Sequence, residues 1–164
     1  GYGQLAWSLR SDERVVNMER TNIRHVTPDM LADQIEFFSV DVSFISLKHI
    51  FPVADAICVP GANGVCLVKP QFEAGREALD KKGIVKKAEY RYRAVMRVLL
   101  CAFEAGFALY GITRSAIAGG DGNIEYLAYF KLADDKSQIN TAAGGGYPFG
   151  MITPELENII SDII

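Results

Sequence analysis

The sequence predicts an α/β fold: a mostly parallel sheet with helices packed on it and one antiparallel strand at its C-terminal end. Three observations predict it. Short apolar runs bounded by turn residues alternate with segments of helical periodicity, the pattern of parallel strands joined by crossover helices. Val65-Cys66-Leu67-Val68 is apolar at consecutive positions, so it has two faces to bury, as a central strand does. The last two candidate strands are joined through Gly119-Gly120-Asp121-Gly122 with no helix between them, so they run antiparallel. With 164 residues, 49% of them hydrophobic, the chain can build one sizeable core and not two.

Taken in chain order, Val15–Met18 is a short candidate strand and Phe37–Val42 a longer one. Leu47–Cys58 reads as a helix stopped by Pro60-Gly61. Val65–Lys69 is the next strand. Glu89–Ala105 carries a stripe of Tyr92, Val95, Leu99, Ala102 and Phe103, and Gly106 suits its C-terminal cap. Strands Phe107–Ile112 and Ile124–Lys131 follow, and the alternation implies a sheet covered on both faces. Residues 1–140 form the domain. Residues 141–164 differ: Ala142–Gly150, with Gly144-Gly145-Gly146 and Pro148, reads as a flexible connection. Pro154–Ile164 reads as a short amphipathic helix starting at Thr153-Pro154.

Composition narrows the function. A net charge of −3 excludes a uniformly basic coat for nucleic acid, but not a basic face. The three cysteines, Cys58, Cys66 and Cys101, lie in apolar runs without a CxxC pair, as packed thiols of a reducing compartment do. The two histidines, His25 and His49, have no second ligand at helical spacing, so no metal site is expected. No apolar run is long enough for a bilayer and no basic-then-apolar leader opens the chain, which reads as soluble and cytoplasmic. Oligomeric state is not legible.

Asp41 closes one apolar strand and Lys69 another. In a parallel sheet both ends lie on one edge, where such folds bind ligands. Glu125 opens the final strand, and because that strand runs backwards its start reaches the same edge. Taken singly, Asp41 fits a helix cap as well as catalysis, Lys69 fits a solvated strand end, and Glu125 fits the surface. Together they suit removal of a proton from a weak acid. A lysine amine has an ordinary pKa of ~10.4; burial disfavours its charged form and neighbouring carboxylates favour it, so a lysine between two acids is oriented as well as tuned. Whether the amine removes the proton or steadies the oxyanion stays open.

At these residues the sequence resembles the TlyA (haemolysin-A-like) branch of the FtsJ-like ribosomal-RNA 2′-O-methyltransferases. The matching stretches are GYGQLAW at 1–7, ERTNIR at 19–24, DVSFISL at 41–47, KPQFEAGRE at 69–77 and GNIE at 122–125. The resemblance implies a Rossmann-like sheet, S-adenosylmethionine as methyl donor, ribosomal RNA as partner, and a catalytic Lys-Asp-Lys-Glu set. Asp41, Lys69 and Glu125 match its last three members. It further implies that the first lysine, the glycine-rich cofactor loop, the front strands and a small RNA-binding domain belong upstream of Gly1. The chain is therefore expected to be an N-terminally truncated catalytic domain, with Phe37–Val42 left unpaired on its inner edge. For the cofactor, the resemblance points to Tyr2, Glu19 and Asn22, with Asp41 and Ser43 near the transfer point; Asn22 equally fits a turn cap.

Between Arg76 and Arg97 stand eight basic residues against three acidic ones. Arg76, Lys81 and Lys82, soon after Lys69, are the candidates for RNA phosphates. Arg93 and Arg97 lie opposite the apolar stripe and read as solvated. Phe72 fits either a base-stacking platform or a lid on the core. Two other classes compete: a non-catalytic RNA-binding module, which would not need the trio, and a membrane-active haemolysin. The latter's only candidate element, Pro154–Ile164, carries Glu155, Glu157 and Asp162.

Overall fold

The computed structural model describes residues 2–135 and 152–164. Residues 2–34 are nearly without regular structure. A four-residue helix α1 (Trp7–Arg10) is followed by single helical turns at Ile23–His25 and Pro28–Met30. Val15–Met18, expected as a strand, is irregular, and Val16 is largely exposed. A strand needs a ladder partner, and none reaches this segment among the described residues. The expected glycine-rich connection, Ala142–Gly150, lies outside the described residues.

Strand β1 (Ile35–Val40) leads into a turn at Leu47–His49 and helix α2 (Phe51–Ile57). Strand β2 (Cys58–Val68) starts directly where that helix stops. The sequence places Pro60-Gly61 outside any strand; in the structure the pair sits inside β2, at an irregularity. Ile35 faces Cys58 and Phe37 faces Asn63, so β2 carries extra residues there. A bulge tolerates a proline that lacks an N–H and a glycine at φ +79°. A helical turn α3 (Pro70–Glu73), helix α4 (Ala88–Glu104), strand β3 (Phe107–Arg114), strand β4 (Tyr126–Leu132) and helix α5 (Pro154–Ile163) complete the order. Thr153 caps α5, its hydroxyl accepting from the Leu156 N–H at 3.2 Å, with Pro154 in the first turn.

The four strands form one sheet in the order β1-β2-β4-β3. β1 and β2 are parallel, and β4 runs antiparallel to both β2 and β3, as the glycine-rich link between β3 and β4 requires. β1 is an edge strand, paired only with β2 among the described residues.

The core lies on one face of this sheet. Tyr126, Ala128, Phe130 and Leu132 of β4 are buried with Phe51 of α2, Leu99 and Phe103 of α4, and Leu156 and Ile160 of α5. The expectation of a sheet covered on both faces is not met among the described residues. Phe37, Leu127 and Tyr129, which point the other way, are 59%, 40% and 40% exposed, because no described helix packs there.

Candidate active site

Strand direction delivers the three ionisable groups. Val40 pairs with Cys66 in the parallel ladder, so the residues just beyond β1 and β2 emerge on one edge. Asp41 and Lys69 are among those residues. Tyr126 pairs with Val68 in the antiparallel ladder, which sets Glu125 beside the end of β2. The Lys69 Nζ lies 2.6 Å from Asp41 Oδ1 and 3.5 Å from Ser43 Oγ, to which it donates. Lys69 keeps only 13% of its side chain exposed, whereas Asp41 keeps 71%. The ion pair therefore joins a sheltered amine to an open carboxylate.

Two cavities meet at this pair. One, of about 950 Å³, is lined by Asn22, Arg24, His49 and the loop Asp41–Ser46. The other, of about 500 Å³, is lined by Lys69, Gln71, Phe72, Lys82, Asn123 and Glu125. Ser43 and Phe44 belong to both walls. Phe44 holds φ at +62°, a left-handed conformation that costs a bulky residue about 1–3 kcal/mol. Its ring is 91% exposed and stands 5.0 Å from the Phe72 ring.

Glu125 is buried and accepts from Gln71 Nε2 at 2.8 Å. A Cβ on Gly119 would collide with its carboxylate, so this glycine of the β3–β4 link is required for its close approach. Glu73 is buried too, and accepts from Ser46 Oγ at 2.6 Å and from the Leu47 N–H at 2.8 Å. Burial pushes the Glu73 carboxyl above its ordinary range, against the pull of those two donors.

The residues named for the cofactor are divided. Asn22, Asp41 and Ser43 line the larger cavity, and Asn22 also caps the turn at Ile23–His25 by accepting from the Arg24 N–H at 3.1 Å. Glu19 does not line it: it pairs with Arg10 and accepts from the Gly3 N–H at 2.9 Å. Burial raises its carboxyl, but Arg10 and the Gly3 N–H prevail and hold it below the ordinary range. Tyr2 is exposed, with the Arg20 guanidinium 4.0 Å over its ring.

The basic residues separate by partner. Lys86 pairs with Asp80 at 2.8 Å and draws that carboxyl down to about 2. Arg93 pairs with Glu89, and Arg91 is buried among the Val85, Lys86 and Ile164 carbonyls. Arg97 is exposed, as expected of a residue opposite the apolar stripe, and its Nη1 also donates to the Glu73 carbonyl at 2.7 Å, tying α4 to α3. Arg76, Lys81 and Lys82 are exposed and make no ion pair among the described residues, and Lys82 lines the smaller cavity. Sequence reasoning missed Phe44, Gln71, Glu73 and Ser46. The PQFE run after Lys69 and the SFIS run after Asp41 sit beside the singled-out residues, but no spacing rule pairs them.

A sheet with one reversed strand, and an acid and a lysine at the ends of adjacent parallel strands, is the outline of the Rossmann-like methyltransferases. The chain belongs to the FtsJ-like methyltransferase family, whose pattern matches residues 1–132. It is 51% identical over 130 residues to the Bacillus subtilis protein named "Putative rRNA methyltransferase YqxC", covering 79% of this chain and 46% of that one. It is 40% identical over 137 residues to "16S/23S rRNA (cytidine-2'-O)-methyltransferase TlyA" of Mycobacterium tuberculosis, covering 84% and 51%. The solved structure described as "Putative hemolysin from Streptococcus thermophilus" superposes with a TM-score of 0.83 at 36% identity, over 99% of this chain and 55% of that one. The chain spans about half the length of the curated relatives it matches. No described helix is long and apolar enough to cross a membrane.

Proposed function

We propose that this chain is the catalytic part of an enzyme that methylates ribose 2′-hydroxyls of ribosomal RNA from S-adenosylmethionine. One observation carries the reading: Lys69 and Asp41 form an ion pair where two cavities share the wall of Ser43 and Phe44. Transfer between two bound reactants needs two such compartments with a polar group at the junction. The larger cavity mixes amide, hydroxyl and carboxylate groups with Ile23, Val42 and Ile45, a lining that suits a nucleoside with a charged amino-acid tail. Asn22, Asp41 and Ser43 are the residues that would hold it. When bound, S-adenosylmethionine supplies an electrophilic methyl group.

This chain's own residues then act on the acceptor. Lys69 meets the 2′-hydroxyl in the smaller cavity and assists its deprotonation, while Asp41 and Ser43 orient the amine. Glu125, fixed by Gln71, lines the same compartment and faces the ribose. Arg76, Lys81 and Lys82 hold RNA phosphates, and the name of the mycobacterial relative, a 16S/23S rRNA (cytidine-2'-O)-methyltransferase, makes a cytidine of 16S or 23S RNA the target to test first.

The experiment is methyl transfer from radiolabelled S-adenosylmethionine to ribosomal subunits by the intact protein. Lys69→Ala should lower kcat by at least ~100-fold, the scale of a lost acid–base group. Label transfer that survives this change undiminished overturns the reading.

A further inference from the structure

Two carboxylates are buried among the described residues, Glu125 and Glu73. The reaction proposed above uses only the first. Glu73 stands four residues after Lys69, on the same helical turn, held by hydrogen bonds from Phe72 N–H to the Lys69 carbonyl and from Ala74 N–H to the Pro70 carbonyl, each 2.9 Å. Its own carbonyl is anchored to α4 by Arg97. Yet both partners of its carboxylate, Ser46 and Leu47, belong to the loop that follows Asp41.

We propose that Glu73 is the positioning residue that holds the Asp41 loop against the Lys69 turn; this inference rests on the reaction read above. The geometry is a closed ring. Lys69 grips Asp41 at one end of the loop and Glu73 grips Ser46 and Leu47 at the other. Asp41 makes no other polar contact among the described residues and is mostly exposed, so the loop backbone sets where its carboxylate stands. The loop between the two grips contains Ser43 and Phe44, the common wall of both cavities. A shift at Ser46 therefore moves the partner of Lys69 and the junction between donor and acceptor together. Burying a carboxylate with two donors from a single neighbouring loop ties that loop more tightly than an exposed pair would, because water cannot substitute for the missing partner.

The test is made in the intact protein, with kcat, KM for the ribosomal subunit and melting temperature measured for Glu73→Ala, Glu73→Gln and Ser46→Ala beside Lys69→Ala. Glu73→Ala should lower kcat by about 10- to 100-fold, the cost of a misplaced reacting group. KM for the subunit should stay within about twofold, since RNA contacts are untouched. Ser46→Ala, which removes one of the two hydrogen bonds to the Glu73 carboxylate, should lower kcat by about 3- to 10-fold. Glu73→Gln, which keeps an acceptor for the Leu47 N–H, should recover most of the loss. A role confined to stability would lower the melting temperature and leave kcat of the folded protein unchanged. Should Glu73→Ala fail to fold, Ser46→Ala and Glu73→Gln decide. Wild-type kcat in folded Ser46→Ala, or a loss confined to KM, overturns the positioning role while the Lys69→Ala loss leaves the reaction standing. Transfer unaffected by Lys69→Ala overturns the reaction and this inference with it.

Discussion

Glu73 shows at the scale of one residue how burial and hydrogen bonding oppose each other. Burial raises its carboxyl above the ordinary 4.5, while Ser46 and Leu47 stabilise the charged form. A carboxyl whose folded value exceeds its unfolded one binds its proton more tightly when folded. Its contribution to stability is in full below the unfolded value and is lost as pH rises through the folded one. Urea unfolding of wild type and Glu73→Gln should therefore show a difference that moves against wild type as pH rises from below 4.5 toward neutrality. A difference flat with pH would contradict the raised value. Asp41, Lys69 and Glu125 were legible in the sequence because each ends or begins an apolar run. Glu73 and Gln71 were not, since a polar residue in a loop carries no local sign of the partner it will meet.

The elements were legible to the extent that their signals are local. Helix α4 begins and ends within one residue of the expected Glu89–Ala105, because its stripe and Gly106 act over a few turns. Helix α5 was expected from Thr153-Pro154, and the structure adds where it docks: Leu156 and Ile160 are fully buried in the core shared with α4 and β3. Leu156→Ala should destabilise the protein by about 2–4 kcal/mol, the range for truncating a buried leucine, read from denaturant midpoints. A loss below about 0.5 kcal/mol, the scale of a surface change, would show that α5 does not belong to the core. The sequence makes strand β2 too short because Pro60-Gly61 looks like a terminator. The proline is absorbed by the bulge against β1, and only the partner strand reveals it.

Across the whole molecule, charge is distributed against its total. The chain is acidic by three, yet Arg76, Lys81 and Lys82 are exposed and make no ion pair among the described residues, in the segment that follows the Lys69 strand. If these residues hold phosphates, Lys81→Ala with Lys82→Ala should reduce the slope of log affinity against log salt by about 0.7 per contact on single-stranded RNA, measured on the intact protein. An unchanged slope would remove them from the interface. What the sequence by itself determined is the α/β class, the reversed last strand, the family and the trio at one sheet edge. These follow from apolar periodicity, from a glycine-rich link too short for a crossover, and from motifs read in place. Only the tertiary structure decided that β4 lies between β2 and β3, that no described helix packs on one face of the sheet, and that Ser46 meets a carboxylate 27 residues away. Contacts of that kind are made by surfaces brought together on folding, and no neighbour in the chain records them.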